Sequence, residues 1–408
     1  MPISSGQLDL RFGLAFEDLY CREGLVRLDA AFIEYLRAAD APLCQRLLDA
    51  QKSTEGLTRK RQSELILAVA PHLEHFIGEL FGIRAELRAL QTRHDELAAL
   101  QALKRKFVQK KAISGVSQAQ ASAFNGPALR AELETLFNEP LTEASFVQHV
   151  SRWLDAETEH KPELQTAAQY AAWAALSPAG MEQHHRGVLF KVPHKLEMSH
   201  LIQVETREAG GILEIEAPAR ELRHREGFKL TDPGMGLAAA ADQAHYCIKC
   251  HNQGKDSCST GLKEKDGSFK KSVFGVTLAG CPLEEKISEM NLMTERGHSV
   301  GAVAITVIDN PMAAGTGHRI CNDCMKSCIF QKQEPVDIPQ VETRSLKDVL
   351  ELPWGFEIYS LLTRWNPLNF ERPMPRPASG YKVLVVGLGP AGFTLAHHLM
   401  NDGHTVAG

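Results

Sequence analysis

No stretch of the 408 residues holds the roughly 18 consecutive apolar side chains that a membrane-crossing helix needs. Residues 1–10 have neither a basic start nor an apolar centre, so they do not read as a secretion signal. Positive charge is not in excess either. The 45 lysines and arginines face 50 aspartates and glutamates, and a net charge of −5 argues against general binding to a phosphate backbone. Cysteine is nearly missing outside one stretch, since only Cys21 and Cys44 precede residue 247 and none follows residue 328. These absences leave a cytoplasmic chain with no membrane span and no nucleic-acid partner. At 44% hydrophobic and 23% charged residues it has an ordinary globular composition, with length for two or three domains.

Residues 1–180 carry helical periodicity. Leu25, Leu28, Phe32 and Leu36 recur at three- and four-residue steps, as do Leu65, Val69, Leu73, Phe76 and Leu80. Ile83, Leu87, Leu90, Leu97, Leu100, Leu103 and Phe107 are nearly heptad, which predicts one long helix docked on neighbours or one arm of a hairpin. Its basic end, Lys104 to Lys106 with Lys110 and Lys111, reads as a solvated helix C-terminus ahead of a contact with an acidic partner. A restart near Pro140 leads into a stripe of Phe146, Val150, Trp153 and Leu154. Cys21 and Cys44 read as core thiols. No catalytic constellation is found here.

After Pro178 the period becomes two. Segments 187–192, 201–206 and 211–216 alternate apolar with polar, around a turn at 209–211, and predict a small antiparallel hairpin or sheet. His184, His185, His194 and His200 share no ligand spacing and read as surface histidines. Residues 227–236 form a turn-rich linker.

The chemistry gathers where the cysteines do: Cys247, Cys250, Cys258 and Cys281, then Cys321, Cys324 and Cys328. Thiols this dense, without a secretion signal, read as metal ligands and not as disulfides. Zinc favours two C-x2-C pairs closing one tetrahedral site, which leaves a third cysteine and the lone Cys281 unexplained. Cysteine triplets with a remote Cys-Pro are the habit of [4Fe–4S] ligation, in which each iron takes one thiolate and the proline stops a helix. Cys247, Cys250 and His251 also match the haem pattern C-x-x-C-H, but haem attachment needs export and ignores five thiols. Iron–sulfur leads and zinc follows. Seven cysteines still leave two four-ligand sites one donor short.

Several motifs in a fixed order bear on that shortfall. Cys281-Pro-Leu-Glu-Glu-Lys-Ile, Asn310-Pro-Met, Thr316-Gly-His-Arg-Ile-Cys321 and Glu334-Pro-Val-Asp-Ile resemble the α-helical ferredoxin domain of the glutamate synthase small subunit and dihydropyrimidine dehydrogenase. The resemblance runs from about residue 240 to the C-terminus and implies two [4Fe–4S] clusters with interleaved ligands. Carried over, Cys281, Cys321, Cys324 and Cys328 would hold one cluster. Cys247, Cys250 and Cys258 would hold the other, completed by Glu342 at the family's non-cysteine position. His251 and His318 would supply hydrogen bonds beside the ligands. The chain departs from the family in a looser first group and in an inserted loop, 259–280, bearing Lys263, Lys265, Lys270 and Lys271.

Near the C-terminus an apolar strand from Tyr381 runs into Gly387, Gly389, Pro390, Ala391 and Gly392, followed by a helical pattern. Strand, G-x-G-x-x-G and helix open a dinucleotide-binding unit, with a pyrophosphate expected at the helix N-terminus. The Pro-Ala variant resembles flavin enzymes, so FAD is expected ahead of NAD. His404-Thr-Val starts a second strand. What remains leaves no room for a parallel sheet, flavin-ring pocket or nicotinamide site.

The expected architecture is mainly α. It comprises a helical domain of unknown role (1–180), a β-hairpin or sheet segment with linker (181–236), an α-helical ferredoxin-like iron–sulfur domain (237–360), a linker (361–380) and a truncated FAD/NAD(P)-binding domain (381–408). The expected function is the iron–sulfur electron-transfer portion of an oxidoreductase dependent on NAD(P)H and FAD. Two [4Fe–4S] clusters would serve a redox partner protein or a distal domain of a longer chain, and this fragment alone would not be catalytic. A zinc-stabilised adaptor without redox activity is the alternative.

Overall fold

A computed structural model describes all residues except 1–9, 203, 220, 221, 223, 318 and 319; His318 therefore lies outside the described residues. The protein is mainly α-helical, with two small sheets. Helices α1 (Arg22–Ala39), α2 (Ala41–Lys52) and α3 (Arg59–Leu80) start where Cys21, Asp40 and Thr58 accept a backbone N–H from the first turn. Cys21 is thus an exposed cap, whereas Cys44 is a buried core thiol as expected. The near-heptad pattern forms α4 (Arg84–Leu103), which continues into a π-helical stretch over Lys104–Ala112. After it come α5 (Gln118–Ala123), α6 (Gly126–Phe137), α7 (Glu143–Asp155), α8 (Lys161–Leu176) and α9 (Pro178–Gln183).

Strands β1 (Glu205–Ala209) and β2 (Ile212–Glu216) pair antiparallel, and Gly210 and Gly211 take the positive φ of the turn. The third alternating segment is not a strand. In 187–192 the apolar side chains are adjacent, and Val188, Leu189, Phe190 and Val192 are all buried. The amides of Val188 and Leu189 donate to the Glu143 carboxylate at 2.9 and 2.7 Å instead of to a sheet. His184 is drawn in with them and is not a surface group. It meets the Tyr170 hydroxyl at 2.9 Å, and burial pushes its pKa down to about 4.

The remaining elements are α10 (Leu237–Tyr246), α11 (Ser257–Thr260), α12 (Ile287–Glu295), α13 (Ser299–Asp309), α14 (Ala313–Thr316), α15 (Asp323–Lys326), α16 (Ile338–Leu350), α17 (Gly355–Leu362), β3 (Lys382–Leu384), α18 (Pro390–Asn401) and β4 (Thr405–Ala407). Two hydrophobic cores organise them. Helices α1–α3 share one core with α12, α13, α16 and α17, so residues 10–80 lie against the cysteine region. The end of α4, its π-helical extension, α6–α8 and the extended 189–192 segment make the other. The helices expected as one unit over 1–180 are therefore divided between two cores.

Polar contacts fix the first core. Glu74, 1% exposed, accepts from the amides of Val300 and Gly301 at 2.9 and 3.2 Å, capping α13 from α3. Lys104, read as part of a solvated end, is instead buried in an ion pair with Asp242 of α10 at 2.6 Å. The stretch from 361 is not a free linker at its start, because its apolar side chains outweigh its prolines. Trp365 is fully buried against Phe32 and Phe76, and its indole N–H donates to Asp29 at 2.9 Å.

Candidate metal centre and dinucleotide loop

Short turns aim the thiols. Cys247 closes α10, and Lys249 takes φ +56° so that Cys250 turns inward. Asp256 caps α11, which carries Cys258. The Cys281 amide donates to the Cys258 carbonyl at 2.8 Å, so the inserted loop leaves and rejoins the fold at one point. Only glycines allow this crossing, since a Cβ on Gly280 would lie 2.5 Å from the Gly261 nitrogen. α15 carries Cys324, with Cys321 before it and Cys328 after it, and the buried Ser327 hydroxyl accepts from Gly280 N at 2.9 Å, holding the reversal.

This reversal pairs the thiols differently from the family-based expectation. The Cys258 and Cys328 thiols act on each other, and Cys250 is in the field of Cys247 and Cys328. Cys247, Cys250, Cys258 and Cys328 thus form one set. Cys281, Cys321 and Cys324 form the other, and the carboxyl beside them belongs to Glu285, which in turn contacts Glu342. Glu342 is therefore on the three-cysteine side. Burial is the main cause of the shifted acidities. It pushes the thiol of Cys250 up to about 12 and that of Cys281 to about 11, and raises those of Cys247 and Cys324. Cys328 moves the other way, downward, because the neighbouring Cys258 thiol favours its thiolate.

The carboxyl pair was only half visible in the sequence. Burial lifts Glu285 to about 7, and burial with the facing Glu285 charge lifts Glu342 to about 8. Two carboxyls this close share a proton at neutral pH. Gly317 is needed beside them, since a Cβ there would sit 2.6 Å from Glu342 Oε1. Glu285 lies within the quoted Cys-Pro-Leu-Glu-Glu motif but carried no assigned role. Its signal was a carboxyl four residues after a ligand, just before a helix.

His251 Nδ1 meets the Ser288 hydroxyl at 2.7 Å, while its buried Nε2 has no partner. Ser288 continues to Glu289, and Glu289 accepts from Ser63 of α3, so a polar chain links the four-cysteine set to the N-terminal helices. Asp256, His251 and Ser63 line a cleft of about 630 Å³; Cys247, Lys104 and Lys249 line another of about 440 Å³. Among the described residues no three cysteine, histidine or acidic side chains converge as a closed chelate for one metal ion. The two sets are neighbourhoods of thiols. Among these residues, too, no helix is long and apolar enough to cross a membrane.

At the C-terminal end β3 and β4 pair in parallel, Lys382 opposite Thr405, with α18 between them. A minimal parallel ladder thus forms where no sheet was expected. Gly387 has φ +91°, Gly389 is the N-cap of α18, and a Cβ on Gly392 would lie 1.9 Å from the Gly387 carbonyl oxygen. Gly389, Pro390 and Ala391 are exposed at the helix start, where free amides attract an anion.

Residues 10–82 match the family described as the RP005 N-terminal alpha-helical domain. That span is the α1–α3 unit packed against the cysteine region. The chain is 28% identical over 299 residues to the uncharacterized protein RP005 of Rickettsia prowazekii, covering 70% of this chain and 97% of that protein. It is 59% identical over 95 residues to the uncharacterized protein RP006 of the same organism, 23% of this chain and 14% of that one. It is 33% identical over 128 residues to the glutamate synthase [NADPH] small chain of Mycobacterium tuberculosis, 31% of this chain and 23% of that one. Part of the chain is thus distantly related to an oxidoreductase subunit, while it spans only a small share of RP006 and of that subunit.

Proposed function

We propose that this chain is the iron–sulfur portion of a flavin-dependent oxidoreductase, holding two [4Fe–4S] clusters that pass electrons between a flavin and a partner or distal domain. The observation that carries this reading is the sorting of seven thiols into a set of four and a set of three, with a buried carboxyl pair beside the three. Cys247, Cys250, Cys258 and Cys328 would hold one cluster; Cys281, Cys321, Cys324 and Glu342 would hold the other. The donor count fits, because each iron of a cubane takes one protein ligand and seven thiols with one carboxyl supply eight. When bound, the clusters supply one-electron transfer at a potential set by ligands, burial and hydrogen bonds.

The chain's own residues prepare those sites. Amides of Leu283 and Glu285 point at the Cys281 sulfur and favour its thiolate. Glu285 would take the proton that Glu342 gives up as a ligand, so that the buried pair keeps one negative charge and does not gain a second. The glycine loop before α18 would receive the pyrophosphate of FAD on its free amides. Relation to a subunit named for NADPH supports NAD(P)H as the hydride source of a complete enzyme. Anaerobic purification with iron, acid-labile sulfide and zinc analysis tests this reading. About eight irons per chain and broad absorption in the blue are expected. Stoichiometric zinc in a colourless protein favours the adaptor reading.

A further inference from the structure

We propose that the inserted loop between Cys258 and Cys281 is the docking surface for a small acidic electron-carrier protein. This rests on the electron-relay reading. The insert has its own hydrogen-bonded shape. Leu262 N donates to Leu278 O at 2.9 Å, Lys270 N to Leu262 O at 2.8 Å and Leu278 N to Lys270 O at 2.9 Å, a small meander with turns at Gly267 and Gly275. Almost none of it serves a core. Leu278 is buried, but Phe269, Val273, Phe274 and Val276 stand in solvent, Val273 at 70% and Phe274 at 62% exposure. Lys263, Lys265, Lys270 and Lys271 share the loop with them, all exposed and without an ion-pair partner among the described residues, and Lys263 lies 5.7 Å from the Phe269 ring. Against Glu264 and Asp266 these four give the insert a net charge of +2, on a chain whose net charge is −5.

Exposed apolar side chains interspersed with exposed lysines in one loop have the makeup of an interface centre with a polar rim. The cations select an acidic partner and speed its approach, and the apolar side chains supply what is desolvated on docking. The insert's position selects an electron carrier. Its two stems are Cys258, from the four-thiol set, and Cys281, from the three-thiol set, and their backbones are bonded to each other. A protein seated on the insert therefore sits at the boundary of both sets.

The test uses the full chain, purified anaerobically with its iron measured, and two acidic probes, a plant-type [2Fe–2S] ferredoxin and a flavodoxin. Surface-plasmon titrations at rising salt compare the parent with K263E/K265E/K270E/K271E and with Phe274→Ser. The parent is expected to bind at least one probe, more weakly as salt rises. The charge-reversed variant is expected to bind at least ~10-fold more weakly at low salt, and Phe274→Ser several-fold more weakly at every salt. Both variants should keep the parent's circular dichroism and iron content, since the insert lies outside both cores. Equal binding by parent and variants, or binding of neither probe, overturns the proposal. So does lysine-dependent binding to phosphatidylserine vesicles without binding to the probes. An iron-free chain that still binds through the lysines keeps the docking surface and sinks the relay reading; an iron-loaded chain that ignores both probes does the reverse.

Discussion

Glu74→Ala removes one of the buried polar contacts by which the N-terminal helices hold the cysteine region. The carboxylate is buried and accepts the Val300 and Gly301 amides of α13, and its other oxygen meets His298 Nδ1 at 2.9 Å. Two hydrogen bonds to a charged acceptor contribute about 1.5–3 kcal/mol each, and a carboxylate at a helix N-terminus adds about 0.3–1 kcal/mol. Water entering the vacated space recovers part of this. The expected net loss is therefore about 3 kcal/mol, a large share of a typical 5–15 kcal/mol. At roughly 2–4 °C per kcal/mol for a fold of 150–250 residues, the melting midpoint should fall by about 6–12 °C. Differential scanning calorimetry measures it, with exposed Glu86→Ala as a control expected to stay within about 0.5 kcal/mol of the parent. An unchanged midpoint for Glu74→Ala would refute the claim that α3 caps α13. It would also weaken the shared core.

Two further predictions concern buried charge. In the metal-free chain, Glu285 and Glu342 titrate near 7 and 8 when folded and near 4.5 when unfolded, so the folded state holds protons that the unfolded state releases in between. Their contribution to stability is present in full below about pH 4.5 and is lost as pH rises through 7 to 8. Melting midpoints from pH 5 to 9 should show that decline, and Glu342→Gln should flatten it; an equal slope in both proteins contradicts the shared proton. Lys104→Ala leaves Asp242 buried without its partner and should cost about 3–5 kcal/mol in urea denaturation, whereas the double change Lys104→Met with Asp242→Leu should cost far less. A Lys104→Ala loss below about 1 kcal/mol would mean that water reaches the pair.

Much of the fold could be read from local pattern. The periodic leucines of α1, α3 and α4 marked their helices, and Gly210-Gly211 marked the hairpin turn, because each signal lies within one turn of chain. The strand–glycine–helix order placed β3, the glycine turn and α18 for the same reason. What could not be read depended on distant partners. Lys104 looks like a helix-end cation until Asp242, 138 residues on, is brought beside it. Trp365 sits among prolines and arginines, and only its docking on Phe32 and Phe76 shows that it belongs to the core. The cysteine positions were plain in the sequence, yet their division was not. It turns on the reversal at Ser327, which sends Cys328 to Cys258 and leaves Glu285, the partner of Glu342, beside Cys281 and Cys324.

That division is the central claim, and electron paramagnetic resonance of the reduced, iron-loaded chain tests it most directly. The parent should give two signals, integrating to about two spins. Cys328→Ser should remove or alter the signal of the set containing Cys247, Cys250 and Cys258, while Glu342→Ala should alter the other. If Cys328→Ser and Glu342→Ala instead disturb the opposite signals, as judged against Cys250→Ser and Cys281→Ser, the pairing is wrong. If the parent gives no signal at all, the clusters are not there.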